Sequence, residues 1–536
     1  MQLSDKGSER LAMSENNSIG KKFIIHGGIL AMAGILVRII GMVYRIPLLN
    51  IIGSEGNGIY SVAYNIYNIA LIISCYGLPM AVSKLVSARL VEKQYSNAFG
   101  VFKTALLLSL CTGGAAALLI FFGADFLENV VYAGSYPGVS MPLRVLAPTV
   151  LIVAALGVFR GFFQGHGTMI PTAVSQLAEQ VVNAIVSVLA GYLLVRAYKG
   201  ASDVAAYGAA GGTLGTAMGA FTALLFVGFV YMVYRPAFTR KMNHDRWGAT
   251  ETTTELCRLI ALTAIPIMIG QTFYQISAAI DDIMYANIMK SIGTASDVIS
   301  KTNGNYNSSY IMLINLPMGV ASAMSSSMLP SVVASYAQGK INDIRSKIEA
   351  TIKINMMIAI PSFIGLTMLG GPIIQLLFPR YNSAEGAMML KIGAIAVVFY
   401  TMSTVTSSAL QGIDRINSPV RHSFISLIVH IVLTWGLLKF TRLGIYALVI
   451  GSASFPVIIF ILNLIELYNE IGYRQEIKIT YVVPLICSVV MGIAAWLTYR
   501  LFHVFAGNTV SLLAALMIAA VVYFGQLYVC RKKGIY

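Results

Sequence analysis

Charge is scarce in this sequence. Only 11% of the 536 residues are Asp, Glu, Lys or Arg, whereas 57% are hydrophobic and the mean hydropathy is +0.75. A soluble domain carries about 25% charged residues, so this chain has too few polar side chains to cover a globule of its size. Lipid must therefore be part of the solvent, and we expect an integral membrane protein.

Cysteine is scarce as well. The five cysteines are scattered and form no C-x-x-C pair, so their spacing indicates neither a disulfide framework nor a zinc site. The six histidines are dispersed, and no H-E-x-x-H, G-x-S-x-G or Walker-type motif occurs. These absences argue against a catalytic centre, and we expect a protein that is not an enzyme and that needs neither a metal nor a cofactor.

The charge that is present is mostly positive. The net charge is +15, and the basic residues stand in short clusters between apolar runs. Such clusters are typical of the cytoplasmic ends of membrane helices and of contact with anionic lipid headgroups, rather than of nucleic-acid binding. We therefore expect membrane lipids as partners, no nucleic acid, and a monomeric chain.

Long apolar runs predict the secondary structure. A membrane span needs about 20 mostly apolar residues, and the runs are continuous rather than alternating, which favours helices over strands. Fourteen such segments lie near 23–44, 59–82, 99–122, 141–162, 172–195, 207–233, 257–284, 310–332, 351–371, 387–409, 420–439, 444–466, 480–501 and 509–530. The sequence predicts an all-α polytopic membrane protein of about 14 transmembrane helices, with a short external loop at Gly53, Gly56 and Gly58.

The distribution of lysine and arginine predicts the orientation. With a cytoplasmic N-terminus, the inside segments, Arg160 included, hold about twice as many basic residues as the outside segments, as the positive-inside rule requires. This bias predicts an even number of spans with both termini in the cytoplasm. A missed or merged pair of helices would leave the bias unchanged.

Two landmarks recur along the chain. Leu78-Pro79 recurs as Leu329-Pro330, and Gln164-Gly165 recurs as Gln411-Gly412. The two offsets, 251 and 247 residues, are nearly equal, although loop-forming residues could also recur by chance. Because transporters are often built from repeats, we predict two six-helix lobes around a central cavity, followed by two extra C-terminal helices.

The predicted division of the chain follows from these spans. It consists of a cytoplasmic tail (1–22), an N-lobe (23–234), a charged cytoplasmic linker (235–256), a C-lobe (257–466), and a final part with the last two helices and a basic tail (467–536).

The first span carries small and basic residues on one face. Steps of three and four place on one stripe the residues Gly27, Ala31, Gly34, Arg38, Gly41 and Arg45. A guanidinium stays charged and its fork matches phosphate oxygens, so Arg38 and Arg45 are candidates to bind an anionic head group such as a pyrophosphate. The alternative is that they reach outward to the membrane interface, and this applies above all to Arg45, which lies just before Pro47.

The fifth span has a polar face formed at the same spacing by Ser175, Gln176, Glu179, Gln180 and Asn183. Lipid would not tolerate such a face, so it points to other helices or to water. Gln176 and Glu179 are therefore candidates for binding the substrate, with hydrogen bonding between helices as the alternative. In the seventh span, Asp281 and Asp282 could bind a coupling cation or pair with the arginines, or they could form a solvated helix end.

Three stretches resemble the bacterial stage V sporulation protein B-like proteins. They are 56–67 (GNGIYSVAYNIY), 76–84 (YGLPMAVSK) and 162–180, which begins FFQGH and ends AEQ. That family, together with the MurJ-type lipid II flippases, belongs to the multidrug/oligosaccharidyl-lipid/polysaccharide exporter superfamily. The resemblance covers essentially the whole chain.

The resemblance implies a fourteen-helix flippase of the bacterial plasma membrane. Its cargo would be an undecaprenyl-pyrophosphate-linked saccharide, such as the peptidoglycan precursor lipid II or a related polysaccharide unit, moved to the outer leaflet by alternating access. Arginines on the first helix serve the cavity of MurJ-type proteins; Arg38 matches the first of them, and Arg45 stands one residue beyond the second. The alternatives are a cation-coupled multidrug exporter of the same superfamily and a membrane enzyme acting on polyprenyl-linked sugars.

Overall fold

The protein is described by a computed structural model over residues 2–243, 245 and 251–533, with side chains from residue 32 onward except those at 35, 75, 76, 266, 267, 269–271, 273 and 274. Within these ranges the chain forms helices and no strands, which confirms the predicted all-α class. The helices are α1 (Gln2–Leu71), α2 (Leu78–Val91), α3 (Tyr95–Phe126), α4 (Ser140–Gly165), α5 (Ile170–Ala197), α6 (Val204–Met242), α7 (Thr253–Ser291), α8 (Ser296–Asn305), α9 (Met312–Ala337), α10 (Ile341–Leu377), α11 (Ser383–Gly393), α12 (Ala396–Gly412), α13 (Asn417–Phe440), α14 (Ile445–Ile471), α15 (Val483–His503) and α16 (Asn508–Lys532).

The first helix is broken at Gly53, whose φ of 72° and ψ of 178° are not helical. The predicted external loop is therefore wrong at Gly56 and Gly58, which both lie in regular helix. Close packing explains why a glycine stands at position 58, because a Cβ there would lie 2.9 Å from the carbonyl carbon of Ser300. A glycine spacing that predicts a loop from the sequence here belongs partly to a helix and allows close helix packing.

The described residues hold eleven helices that are long and apolar enough to cross a membrane, or twelve if α11 and α12, which are bent by 48°, form one span. The polytopic membrane architecture is thus confirmed, whereas the number fourteen stays a prediction. One of the eleven, Met32–Val91, joins the part of α1 from Met32 onward to α2 and has 60 residues. At about 1.5 Å per residue its length exceeds the roughly 30 Å thickness of the hydrocarbon core of a bilayer.

The chain divides into two compact units. The first comprises Met1–Ile51, Ala63–Leu127 and Gly138–Thr272, and the second comprises Ile52–Val62, Glu128–Pro137 and Phe273–Tyr536. The second unit thus includes two short segments from the first half of the sequence. Side-chain amides hold them in place, because Asn57 donates to the Gly304 carbonyl over 2.6 Å and Asn287 donates to the Val131 carbonyl over 2.7 Å.

Glycines set the helix packing inside the first unit. Gly211, Gly215 and Gly219 stand one turn apart on α6, and a Cβ on Gly211 or Gly219 would lie 2.5–2.8 Å from backbone atoms of α5. Small residues let helix backbones approach this closely in membranes. The resulting contact holds α5, with its polar face, firmly against α6.

The sequence repeat corresponds to a repeated packing contact. In the first unit, a Cβ on Gly165 of α4 would lie 2.9 Å from the side chain of Val86 on α2. In the second unit, a Cβ on Gly412 of α12 would lie 2.7 Å from the side chain of Val332 on α9. The recurring Gln-Gly pair is therefore explained by the close approach that its glycine allows.

The predicted linker is shorter than its sequence limits. Helix α6 continues to Met242 and α7 begins at Thr253, so the first third of 235–256 is helical. Just before α7, the carboxylate of Glu251 accepts two hydrogen bonds from Arg89 of α2, from Nε over 2.6 Å and from Nη2 over 2.7 Å. This bidentate pair fixes the end of the linker to the first unit.

Candidate functional site

The candidate site lies in the first unit, along the facing surfaces of α1 and α5. A Cβ on Gly41 would lie 3.1 Å from Nε2 of Gln180, and Asn183 donates to the Tyr44 hydroxyl over 3.4 Å. Asn183 and Tyr44 are 139 residues apart, and so are Gln180 and Gly41. Two contacts with one offset mean that α1 and α5 run in the same direction.

This register gives the level of the first arginine. Arg38 precedes Gly41 by nearly one helical turn, so it lies at the level of the α5 turn from Gln176 to Glu179. Arg38 is exposed at the surface of the protein, whereas Arg45, one turn beyond Gly41, is half-buried. The two residues proposed from the sequence as anion binders thus lie on either side of the contact between the helices.

The stripe of small residues on α1 has two different surroundings. At Gly41 it packs against α5, but at Gly34 no atom of the described residues lies within 4 Å of an added Cβ. Gly27 and Ala31 lie outside the residues whose side-chain surroundings are described. The described part of the stripe therefore opens from a helix contact toward unfilled space on the side of Gly34 and Arg38.

Glu179 is held by an ion pair that the sequence did not reveal. Arg160 of α4 donates from Nη2 to the Glu179 carboxylate over 2.8 Å and from Nε to the Ser175 hydroxyl over 2.9 Å. The Ser175 hydroxyl in turn donates to the Thr172 carbonyl. The two charged side chains are 14% and 27% exposed, so the charge of the carboxylate is largely neutralised within the protein.

The sequence did not place Arg160 at this site, because it was counted among the cytoplasmic surface charges. Its signal was available: it is an arginine inside the apolar run 141–162, where a charge requires a partner. The described residues of α1, α4 and α5 in this region include Arg38, Arg45 and Arg160 together with Glu179, whose carboxylate is paired with Arg160. This balance suits an anionic ligand rather than a cationic one.

The amides of α5 complete the polar surface. Gln176 is half-buried and lies one turn before Gln180. Farther along, Asn183 accepts from the Ser187 hydroxyl over 2.8 Å, and that hydroxyl also lies 2.7 Å from the Gly212 carbonyl. The part of the face with Gln176 and Gln180 can offer both donors and acceptors to a ligand, while the part with Asn183 and Ser187 contributes to helix packing.

Asp281 and Asp282 are in the second unit and are both buried, at 7% and 3% exposure. A solvated helix end is therefore not what the structure has. Asp281 pairs with Nε2 of His430 over 2.8 Å, and Asp282 accepts from the Asn303 amide over 3.0 Å. Asp281 is thus paired with a histidine and not with the arginines considered from the sequence. Among the described residues, no group of three or more His, Cys, Asp or Glu side chains is placed to hold a metal ion.

Comparison with known sequences identifies relatives of this chain. Residues 26–336 match the family described as "Polysaccharide biosynthesis protein", and residues 306–435 match the MatE family. The lipid II flippase MurJ of Bacillus subtilis (strain 168) is 25% identical over 87% of this chain and 86% of its own length. Stage V sporulation protein B of the same organism is 24% identical over 94% of both chains.

Solved structures show the same fold. A lipid II flippase MurJ in an inward closed conformation superposes with a TM-score of 0.69 and 15% identity, over 95% of this chain and 99% of that chain. An inward-facing multidrug resistance transporter of the MATE family superposes with a TM-score of 0.62 and 15% identity, over 80% and 94% of the two chains. The fold is therefore that of the exporter superfamily expected from the sequence.

Proposed function

The chain belongs to the family of polysaccharide biosynthesis proteins, and we propose that it is a flippase for an undecaprenyl-pyrophosphate-linked saccharide. It moves its cargo to the outer leaflet of a bacterial plasma membrane by alternating access. The cargo is the peptidoglycan precursor lipid II or a related polysaccharide unit. The names of the two Bacillus relatives, a lipid II flippase and a sporulation protein, support this cargo class.

One observation carries the proposal: Arg38 lies at the level of the glutamine-bearing turn of α5, beside unfilled space at Gly34. A guanidinium binds phosphate oxygens through two parallel hydrogen bonds. A pyrophosphate there would contact Arg38, and the neighbouring sugar would find amide donors and acceptors on Gln176 and Gln180. The polyprenyl chain of the cargo needs no polar contact, because it remains in lipid.

Neutralisation of Glu179 supports an anionic cargo. An exporter that exchanges a cation at this acid would need the carboxylate to be available, but Arg160 occupies it over 2.8 Å. Because the pair is neutral, the charged groups that remain on the described faces of α1 and α5 in this region are the guanidinium groups of Arg38 and Arg45. The match of residues 306–435 to the MatE family makes cation-coupled drug export the second candidate, and an assay with defined cargo separates the two.

The function as a transporter also predicts that the cargo leaves chemically unchanged. The relatives named above are flippases and transporters by name. Mass spectrometry of the lipid-linked saccharide before and after transport should therefore give one and the same species. A change in mass would favour the membrane enzyme considered as a third alternative.

The direct test is reconstitution of the full chain in vesicles with defined lipid-linked saccharides. Access of the cargo to an impermeant probe from the far leaflet should require the protein, and Arg38→Ala should lower the rate by about tenfold, since a hydrogen bond between charged groups contributes roughly 1.5–3 kcal/mol. The matched control is Arg144→Ala, because Arg144 forms an exposed ion pair with Asp125 in the same unit. Full activity of Arg38→Ala, or transport of cationic drugs instead of the lipid, would contradict the proposal.

A further inference from the structure

Helix α13 carries a buried polar stripe that the proposed substrate site does not use. His422, Ser426, His430 and Thr434 follow at steps of four and are at most 4% exposed, so they lie on one face in the interior of the second unit. Two of these residues are titratable, and each of them meets a carboxylate from another helix. Buried titratable pairs in a membrane protein mark sites where protons or ions bind.

The hydrogen bonds of His430 determine where its protons lie. Nδ1 is 2.8 Å from the carbonyl oxygen of Gly451 on α14. A carbonyl oxygen can only accept, so Nδ1 must carry a hydrogen. This assignment follows from the partner and holds for the neutral and the charged ring as long as the contact with Gly451 is kept.

The other ring nitrogen faces a second acceptor. Nε2 lies 2.8 Å from Oδ1 of Asp281 on α7. A short contact between these atoms needs one proton, either on Nε2 as an imidazolium or on Oδ1 as a carboxylic acid. From this geometry we propose that the His430–Asp281 pair is a proton-binding site, and that its one exchangeable proton links α7 to α13.

Loss of this proton cannot leave the contacts as they are. Nε2 and Oδ1 would then face each other with lone pairs, and a carboxylate would remain buried beside a neutral ring. The ring could regain a bond to Asp281 only by moving its hydrogen from Nδ1 to Nε2, which breaks the bond to Gly451. Deprotonation therefore breaks either the link from α7 to α13 or the link from α13 to α14.

The surroundings supply little positive charge to replace the proton. In the described part of the chain, the titratable groups near the pair include Asp282, the neighbour of Asp281 on α7, and the phenol of Tyr306, which follows α8 and lies within electrostatic range of both acids. Neither a carboxyl nor a phenol is a cation at neutral pH. Within the described part of the chain, the ion pairs of Asp281 include none with lysine or arginine. Thus the unit holds a buried anion whenever the proton leaves.

The pair formed by His422 and Glu466 offers a matched comparison. Nε2 of His422 lies 3.0 Å from the Glu466 carboxylate, and Nδ1 lies 2.7 Å from the amide oxygen of Asn463. Here, however, Arg421 donates to the same carboxylate over 3.0 Å. Loss of the proton leaves a neutral Arg421–Glu466 pair. We therefore assign the coupled proton to His430 and not to His422.

Proton binding is tested without any transport assay. Solid-state NMR of the full chain in lipid, with nitrogen-15 in the histidine rings, distinguishes both neutral tautomers from the imidazolium. The signal that disappears in His430→Gln should show a protonated Nδ1 at every pH at which the pair holds its shared proton. In Asp281→Asn the proton affinity of that ring should fall by about tenfold or more, because a carboxylate at hydrogen-bond distance favours the charged ring. In His422→Gln the titration should be unchanged.

Two results would overturn the site. One is a His430 ring whose Nδ1 carries no hydrogen at low pH, where the pair holds its proton, and the other is a titration of His430 that Asp281→Asn leaves unaltered. If Asp281→Asn does not fold, Asp281→Ala gives the same decision, since it also removes the carboxylate and should also lower the proton affinity of the ring.

A consequence for transport rests on the proposed function. If the chain is a flippase, its rate in vesicles should respond to a pH gradient in the wild type and in His422→Gln, but not in His430→Gln. Transport without any response to the gradient would remove the coupling and leave the proton site intact. Absence of transport in all variants would instead contradict the proposed function, while the NMR titration would still decide on the proton.

Discussion

Arg160 donates to the Glu179 carboxylate over 2.8 Å and so ties α4 to the polar face of α5. The two residues stand 19 positions apart on consecutive helices. A charge on α5 thereby becomes part of a fixed pair beside the candidate substrate surface. The pair has both a structural and an electrostatic consequence, and each can be measured.

Removing either partner of this pair should destabilise the first unit. Arg160→Gln and Glu179→Gln each leave a charge that is mostly shielded from water, and we expect a loss of about 1–3 kcal/mol in the free energy of unfolding. The double variant should lose less than the two single losses added together. Thermal or denaturant unfolding in detergent gives all three values for a double-mutant cycle.

The control for that cycle is the exposed pair of Arg144 and Asp125, whose side chains are 43% and 62% exposed. Exposed pairs contribute about 0–1 kcal/mol, so the same substitutions there should have little effect. Additive losses for Arg160 and Glu179 would show that the pair does not interact as described.

The helices could be predicted from the sequence because burial in lipid leaves long apolar runs, and the faces of α1 and α5 could be predicted because helical periodicity is local. The pairing of Arg160 with Glu179 could not, since it depends on the angle and register of two helices. The solvated helix end, one of the alternatives for Asp281 and Asp282, is excluded by their burial, which the sequence did not reveal for a similar reason. Their burial involves His430, which is 149 residues away, and Asn303, which also contacts Tyr136 of a segment from the first half of the chain.

Glycine substitutions on α6 should act with opposite signs. A Cβ on Gly219 would lie 2.5 Å from the carbonyl oxygen of Glu179, so Gly219→Ala should displace α5 and cost about 1–3 kcal/mol, as overpacking does. At Gly228 no atom lies within 4 Å, so Gly228→Ala should be neutral or should stabilise the helix by up to about 1 kcal/mol. Unfolding in detergent compares the two, and transport by Gly219→Ala should fall with its stability. Equal effects at the two positions would contradict the packing described for α5 and α6.

The bidentate contact between Arg89 and Glu251 should depend on the shape of the guanidinium as well as on its charge. Arg89 is 8% exposed and forms two hydrogen bonds to the carboxylate. Arg89→Lys keeps the charge but loses the fork, and we expect it to cost about 1–2 kcal/mol relative to wild type. Lys84→Arg, at an exposed position of the same helix, is the control and should be silent. A silent Arg89→Lys would show that the charge alone holds the end of the linker.

The predicted orientation of the chain in the membrane rests on the positive-inside rule and can be tested by cysteine labelling. In a variant whose five cysteines are replaced by serine, Ser202→Cys in the turn between α5 and α6 should react with an impermeant maleimide on intact cells. Gln338→Cys, after α9 and two residues before Lys340, should react only once the membrane is opened. Both positions are exposed, so accessibility within the protein does not limit either reaction. The reverse pattern would place the basic segments outside and would overturn the predicted cytoplasmic termini, while reaction of both positions on intact cells would mean that the number of spans between residues 202 and 338 is even.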